Sequence, residues 1–237
     1  MLSILKIKMN KKYNFNESFF ETIDTEEKAY WLGFIAADGN INDRGENKSK
    51  SLHIGLSFKD KNHLLKFMIN INYSHLLIEI KERIINLKKR RYVRLNLNSK
   101  KMYNDLLDKG ITPRKSLTLK PPKNVPKDLV RHWIRGYFDG DGSVHIYNDK
   151  RDKHKKKPFK LRGSFAGTKE VLEFIKNQTN ISGSVRQPKR KNIFYLRFSG
   201  INMCKSIYDF LYKDSNIFLE RKKQIFNDFF LWRNSLN

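Results

Sequence analysis

Two Asp-Gly pairs, Asp38-Gly39 and Asp141-Gly142, each close a run of apolar and small residues. The first run is Trp31-Leu32-Gly33-Phe34-Ile35-Ala36-Ala37-Asp38-Gly39, and the second is Trp133-Ile134-Arg135-Gly136-Tyr137-Phe138-Asp139-Gly140-Asp141-Gly142. If both runs are helical, each final carboxylate sits at a helix C-terminus, which itself carries roughly half a negative charge. Two such ends brought together repel unless a cation lies between them, and hard oxygen ligands of this kind make a divalent-metal site. An Asp-Gly pair by itself is usually a turn. Its return at the end of a second glycine-bearing apolar run is what points to chemistry. A calcium loop beginning at Asp139 is rejected, because Val144 would stand where glycine is required and Lys150 where the bidentate Glu belongs.

For the two acids to meet, the helices carrying them must pack closely. Gly33 and Ala37 lie four residues apart on one side of the first helix, as Gly136 and Gly140 do on the second, and small residues at that spacing let two backbones approach. Gly39 and Gly142 are placed to take the left-handed conformation that ends a helix. Asp24 is expected to cap the first helix, with Glu27 bonding back three residues later. Pro126 suits the start of the second, expected over Asp128 to Asp141.

After each acid the pattern changes from helical to alternating. In the first half the segment at Ile41 and its polar turn, Asn42-Asp43-Arg44-Gly45, come first, followed by the expected strands Leu52 to Phe58, Leu77 to Ile85 and Tyr92 to Leu97, with Lys88-Lys89-Arg90-Arg91 between the last two. Helical spacing falls at Lys61 to Ile71 and Met102 to Leu107. In the second half, strands are expected at Ser143 to Tyr147, Phe159 to Phe165, Ser184 to Gln187 and Phe194 to Phe198. The first two are joined by a charged turn, Lys150 to Lys157. Helices are expected at Lys169 to Ile175, Met203 to Tyr212 and Phe218 to Trp232. Phe58 to Phe67 and Phe165 to Phe174 are each 9 apart, and Tyr92-Val93-Arg94-Leu95 matches Tyr195-Leu196-Arg197-Phe198. Each half therefore reads α-β-β-α-β-β-α. The expected division is an N-terminal extension (1–23), a first unit (24–120), a proline-bearing linker (121–127) and a second unit (128–237).

Among the 237 residues, Lys and Arg number 49 against 24 acids, a formal net charge of +25. A surplus that large repels itself and calls for a polyanionic partner. The single cysteine, Cys204, rules out an internal disulfide and a cysteine-built zinc site. The six histidines lack metal-binding spacing. No apolar run approaches the ~18 residues of a membrane span, and Met1 to Met9 is too short and too charged for a secretory signal, so no membrane role and an intracellular location are expected.

The two motif runs resemble the LAGLIDADG homing endonucleases in their double-motif, single-chain form. Gly33 to Gly39 and Gly136 to Gly142 match the last seven positions of that motif, except that its inner acid is Ala36 in the first copy and Asp139 in the second. The resemblance implies an α+β fold of two pseudo-symmetric αββαββα units, each a four-stranded antiparallel sheet with helices on one face, together forming a saddle. It implies a monomer that cuts double-stranded DNA at a specific site, with Asp38 and Asp141 as catalytic metal ligands helped by the carbonyls of Ala37 and Gly140. Mg²⁺ is the expected ion because an all-oxygen site that keeps several waters suits it, and Mn²⁺ or Ca²⁺ can occupy the same place. Lys115 follows Asp38 by 77 positions and Lys222 follows Asp141 by 81, each in an Arg-Lys pair. The resemblance assigns these two the family's active-site lysine.

Recognition is expected on the strands, since a two-stranded ribbon fits the major groove. The candidates are Lys48, Lys50, His53, Lys81, Arg83, Arg90, Arg91 and Arg94 in the first unit. In the second they are Lys160, Arg162, Arg186, Gln187, Lys189, Arg190 and Arg197. The units differ at nearly all these positions, so the target is expected to be long and asymmetric. Cleavage there would promote mobility of the encoding intron or element, in a bacterium or phage host or in an organelle. The competing reading is a binding protein on the same scaffold, either a maturase acting on intron RNA or a DNA-binding regulator. Either needs the basic surface but not the acids.

Overall fold

A computed structural model describes residues 13–43, 45, 49–75, 79–85, 88–148 and 159–235. Lys48 and the expected charged turn 150–157 lie outside these residues, as do 77–78 of one expected strand. In the first half, α1 (Glu26–Asp38) leads into β1 (Gly39–Asn42), β2 (Ser51–Ser57), α2 (Lys61–Asn70), β3 (Glu79–Ile85), β4 (Lys88–Asn98) and α3 (Lys100–Asp108). The second half repeats the order with α4 (Val130–Asp141), β5 (Ser143–Asn148), β6 (Phe159–Gly167), α5 (Lys169–Thr179), β7 (Val185–Arg186), β8 (Phe194–Ser199) and α6 (Ile201–Tyr212), and α7 (Glu220–Asn234) follows.

The strands form two four-stranded sheets, ordered β1-β2-β4-β3 and β5-β6-β8-β7, with every pairing antiparallel. Alternation assigns one face of each sheet to the core. Leu52, Ile54 and Leu56 of β2 and Val93, Leu95 and Leu97 of β4 are buried together with Phe67 and Met68 of α2 and Met102 and Leu106 of α3. Leu161 and Phe165 of β6 and Leu196 and Phe198 of β8 meet Val171, Leu172 and Ile175 of α5 and Ile207 and Leu211 of α6 in the same way. Each such side chain contributes about 1.5–3 kcal/mol by leaving water, and the alternation leaves the opposite face of each sheet to polar side chains.

Local details differ from the sequence expectation in five places. Thr25, not Asp24, caps α1 by accepting from the Lys28 amide at 3.3 Å, while Asp24 pairs with the Lys28 ammonium at 2.8 Å. A short 3-10 turn, Lys127–Leu129, precedes α4, so the regular helix starts at Val130 instead of Asp128. Lys88 to Arg91 belong to β4 itself, paired with Arg83, Ile84 and their neighbours on β3. The expected strand Ser184 to Gln187 shortens to Val185–Arg186. Gly39 and Gly142 are extended, at φ −78°, not left-handed. Their glycine identity answers crowding instead: a Cβ would lie 2.7 Å from the Ile35 Cγ2 at Gly39 and 2.7 Å from the Phe138 Cε2 at Gly142.

The helices α1 and α4 make the most extensive helix–helix contact of the described residues. A Cβ on Gly33 would collide with the Trp133 carbonyl, and one on Gly136 would collide with the Tyr30 carbonyl and lie 2.8 Å from the Phe34 nitrogen. Farther along, Gly140 rests against the Ala37 methyl. The four-residue spacing of small side chains thus sets a backbone-to-backbone seam that carries both helices side by side to their acidic ends. Residues 29 to 36 of α1 are all buried, as expected of a helix covered on more than one side.

Candidate active site

Asp38 and Asp141 end adjoining helices: a methyl group at Gly140 would sit 3.5 Å from the Asp38 nitrogen. Both side chains keep solvent access. Crowding by the surrounding protein nevertheless raises both carboxyl pKa values, and repulsion from Asp141 adds to it for Asp38, which is pushed up to about 6. Lys222, Lys115 and Arg221 pull Asp38 the other way. The negative ends of two helix dipoles converge on the same place, and neither helix carries a basic residue in its last turn.

Two distant lysines supply the missing donors. Lys115, from a 3-10 turn at Lys115–Leu117, donates to the carbonyls of Gly39 at 2.5 Å and Ala37 at 3.3 Å. Lys222, from the first turn of α7, donates to Phe138 at 2.6 Å, Asp139 at 2.8 Å, Gly140 at 3.1 Å and Gly142 at 2.5 Å. Among these are Ala37 of α1 and Asp139 and Gly140 of α4, carbonyls of the last turn, where a helix leaves acceptors without an intrahelical partner. Both lysines are buried, at 6% and 3% exposure, and burial lowers both ammonium pKa values, that of Lys222 to about 8. The structure therefore brings together all four residues singled out at the two motif ends, Asp38, Asp141, Lys115 and Lys222.

The donor set fits a hard divalent cation. Two carboxylates and the carbonyls of Ala37 and Gly140 are all oxygen, and burial, the main cause of the raised carboxyl pKa values, disfavours the two bare carboxylates that a bound cation would stabilise. Among the described residues no group of three or more His, Cys, Asp or Glu side chains gathers, so the remaining ligands of such an ion would be carbonyls, water or phosphate.

Beneath the acids lies a polar network that residue spacing did not reveal. Asp139, 1% exposed, accepts from the hydroxyls of Tyr30 at 2.7 Å and Tyr212 at 2.8 Å and from the Leu219 amide at 2.7 Å. The Tyr30 hydroxyl also meets His63 Nε2 at 2.9 Å. Glu26 accepts from Arg135 at 2.6 Å and from the Asn216 amide at 2.8 Å, and Arg221 pairs with Asp60 at 2.9 Å. The one signal for this in the sequence is a carboxylate, Asp139, inside an otherwise apolar run, because a buried charge requires donors.

Asp38 directly precedes β1 and Asp141 is one residue, Gly142, from β5, so the exposed rows start beside each acid. On the first sheet the outward register pairs His53 with Asn96, Gly55 with Arg94, Lys81 with Tyr92 and Arg83 with Arg90. Gly55, Ser57, Arg83, Arg90, Tyr92 and Arg94 line an open cleft of about 640 Å³. Arg91, in the alternate register with Val93, stacks over Phe58 at 4.1 Å and also lines this cleft. Lys50 lies outside the row, paired with Asp43 at 3.0 Å. On the second sheet, Tyr147 pairs with Lys160, His145 with Arg162 and Ser164 with Arg197. Arg162 is held by its bond to His145 Nε2 at 2.7 Å and by stacking over Tyr147 at 4.2 Å. Arg186 and Gln187 are exposed, as are Lys189 and Arg190 in the turn beyond β7.

Neither a family sequence model nor any curated protein sequence matches the chain. Solved structures do. The chain is similar to the LAGLIDADG meganuclease I-AabMI bound to uncleaved DNA, with a TM-score of 0.60 and 12% identity over 90% of this chain and 92% of that one. It is similar also to the meganuclease I-SmaMI bound to uncleaveable DNA, with a TM-score of 0.58 and 16% identity over 88% and 93% of the two chains. A third match, at TM-score 0.52 and 14% identity over 88% and 90%, is I-SmaMI bound to an uncleaved DNA target in the presence of calcium ions.

Proposed function

From the premise that the chain has the double-motif LAGLIDADG fold, we propose that it is a site-specific double-strand DNA endonuclease that hydrolyses phosphodiesters with Mg²⁺. The observation that carries the reading is the meeting of Asp38 and Asp141 at two adjoining helix ends, each opening directly into a sheet with a basic exposed face.

Asp38 and Asp141, with the carbonyls of Ala37 and Gly140, would hold the metal. When bound, Mg²⁺ supplies a water activated as nucleophile and charge stabilisation at the departing 3′ oxygen. Lys115 and Lys222 keep one positive charge at each helix end, beside the phosphates to be cut. Their carbonyl partners hold them in place before substrate arrives, so little reorganisation accompanies the reaction. Turn and strand cations neutralise phosphates, and the outward Arg, Lys, His and Gln side chains read base edges. Because the two exposed rows differ, the target is a long asymmetric duplex, and the products would start mobility of the encoding intron or element. One chain carries both motif ends, which suits a monomer acting inside the cell where its DNA lies.

The test is cleavage of the uninterrupted form of the site that surrounds the coding sequence. The wild-type protein with Mg²⁺ should break both strands, while Asp38→Asn and Asp141→Asn should bind that duplex and fail to break it. Full cleavage by either variant overturns the assignment. Tighter binding to the intron transcript than to the duplex would instead make the chain an RNA-binding maturase.

A further inference from the structure

The inner acid of the motif is present in one copy and absent in the other, and the structure attaches a physical consequence to that difference. Asp139 touches both ends of the segment that presents Lys222. Its carboxylate accepts from the Leu219 amide at 2.7 Å, at the residue that immediately precedes α7. The Leu219 carbonyl in turn accepts from the Lys222 amide at 3.0 Å. At the other end, the Asp139 carbonyl accepts from the Lys222 ammonium at 2.8 Å. Two tyrosines, Tyr30 from α1 and Tyr212 from α6, hold the carboxylate from either side. The start of α7, the end of α4 and the lysine between them are thereby tied to one buried group.

The first copy has no such tie. Ala36 stands where Asp139 would be, buried and without a polar atom on its side chain. Lys115 comes from a three-residue 3-10 turn entered through Arg114 at φ 56°, and it reaches two carbonyls where Lys222 reaches four.

We infer that Asp139 is a positioning residue for Lys222, and that its presence in one copy alone makes the two strand-cutting centres unequal. In the wild-type protein the centre at Asp141 is rigidly set and the centre at Asp38 is set more loosely. This inference rests on the proposed nuclease reading for its effect on cutting, but not for its effect on Lys222.

The experiment therefore has two parts. The first needs no metal and no DNA: amine labelling of the native protein, with the modification at Lys115 and Lys222 followed by mass spectrometry. Asp139→Asn, close in shape but presenting an NH₂ group where the carboxylate accepts, should raise the labelling rate of Lys222 about tenfold or more and leave Lys115 within twofold. Tyr30→Phe keeps the carboxylate and removes one of its donors, so it should give a smaller rise at the same lysine. An unchanged Lys222 rate in both variants, or an equal rise at both lysines, overturns the inference.

The second part follows the two strands of a duplex target labelled on each strand. Asp139→Asn should slow one strand at least tenfold more than the other, without loss of binding. Equal slowing of both strands marks a merely structural role and also overturns the inference. A wild-type protein that cuts neither strand defeats the nuclease reading, while the labelling result still decides what Asp139 does.

Discussion

The main chain of Gly136 lies so close to the Tyr30 carbonyl that no side chain fits between them. With the reciprocal contact of Gly33 on the Trp133 carbonyl, this approach fixes how near the two helices come and therefore how near their terminal acids lie.

Gly136→Ala should therefore be costly. The added methyl would meet the backbone of α1 at Tyr30 and Phe34, which cannot rotate away, and overpacking of this kind costs about 3 kcal/mol. For a chain of this size that corresponds to a fall in Tm of roughly 6–12 °C, measurable by thermal denaturation. Gly55→Ala is the control: its Cβ would approach nothing nearer than the Val93 carbonyl at 4.0 Å, and Tm should hardly move.

The pH dependence of Asp38→Asn follows from the sign of its shift. With its folded-state carboxyl held at about 6, above the ordinary carboxylate value, the folded protein prefers the protonated form. The group's contribution is full at low pH and is lost as pH rises through 6. Asparagine removes that loss, so the metal-free variant should gain Tm relative to wild type between pH 4 and 7. The difference between the two proteins is the diagnostic quantity, because the buried His63, lowered to about 3, makes stability rise with pH in both. Adding Mg²⁺ should raise the Tm of the wild type and not that of the variant.

Lys222→Met should separate binding from cutting. The ammonium is 3% exposed and turned into carbonyls at the end of α4, so it is not one of the exposed strand cations expected to carry affinity. Affinity for the duplex should stay within about threefold, while the cleavage rate falls about 10²–10³-fold, the usual loss when a prepositioned charge is removed from a reacting centre. Filter binding and single-turnover cleavage on the same preparation check both halves.

Arg162 and Lys189 should differ in what they recognise. Arg162 is held by His145 and Tyr147 on the exposed row, a geometry suited to bidentate contact with a guanine edge. Arg162→Ala should cost about 1–3 kcal/mol and relax preference at one base pair. Lys189→Ala, in a turn, should weaken all duplexes alike and reduce the slope of log K against log salt by about 1. A base-preference profile and a salt titration distinguish the two.

The amino-acid sequence by itself determined the repeat, the element order, the spacing of small residues along the seam and the two acids that close the motif runs. Each of these is a local or periodic property: helix and strand periods are written along the chain, and Gly33, Ala37, Gly136 and Gly140 mark a face whatever covers it. Only the tertiary structure decided that Gly39 and Gly142 are extended, that Lys115 and Lys222 reach carbonyls of the helix ends, and that Tyr30, Tyr212 and Leu219 converge on Asp139. The glycine conformations answer crowding within one turn, by Ile35 and Phe138, whereas the lysine and Asp139 contacts depend on groups 70 or more residues apart meeting in space. No pattern of period 2 or 3.6 records which distant donor satisfies a buried acceptor, because that choice is made by how whole helices and sheets pack.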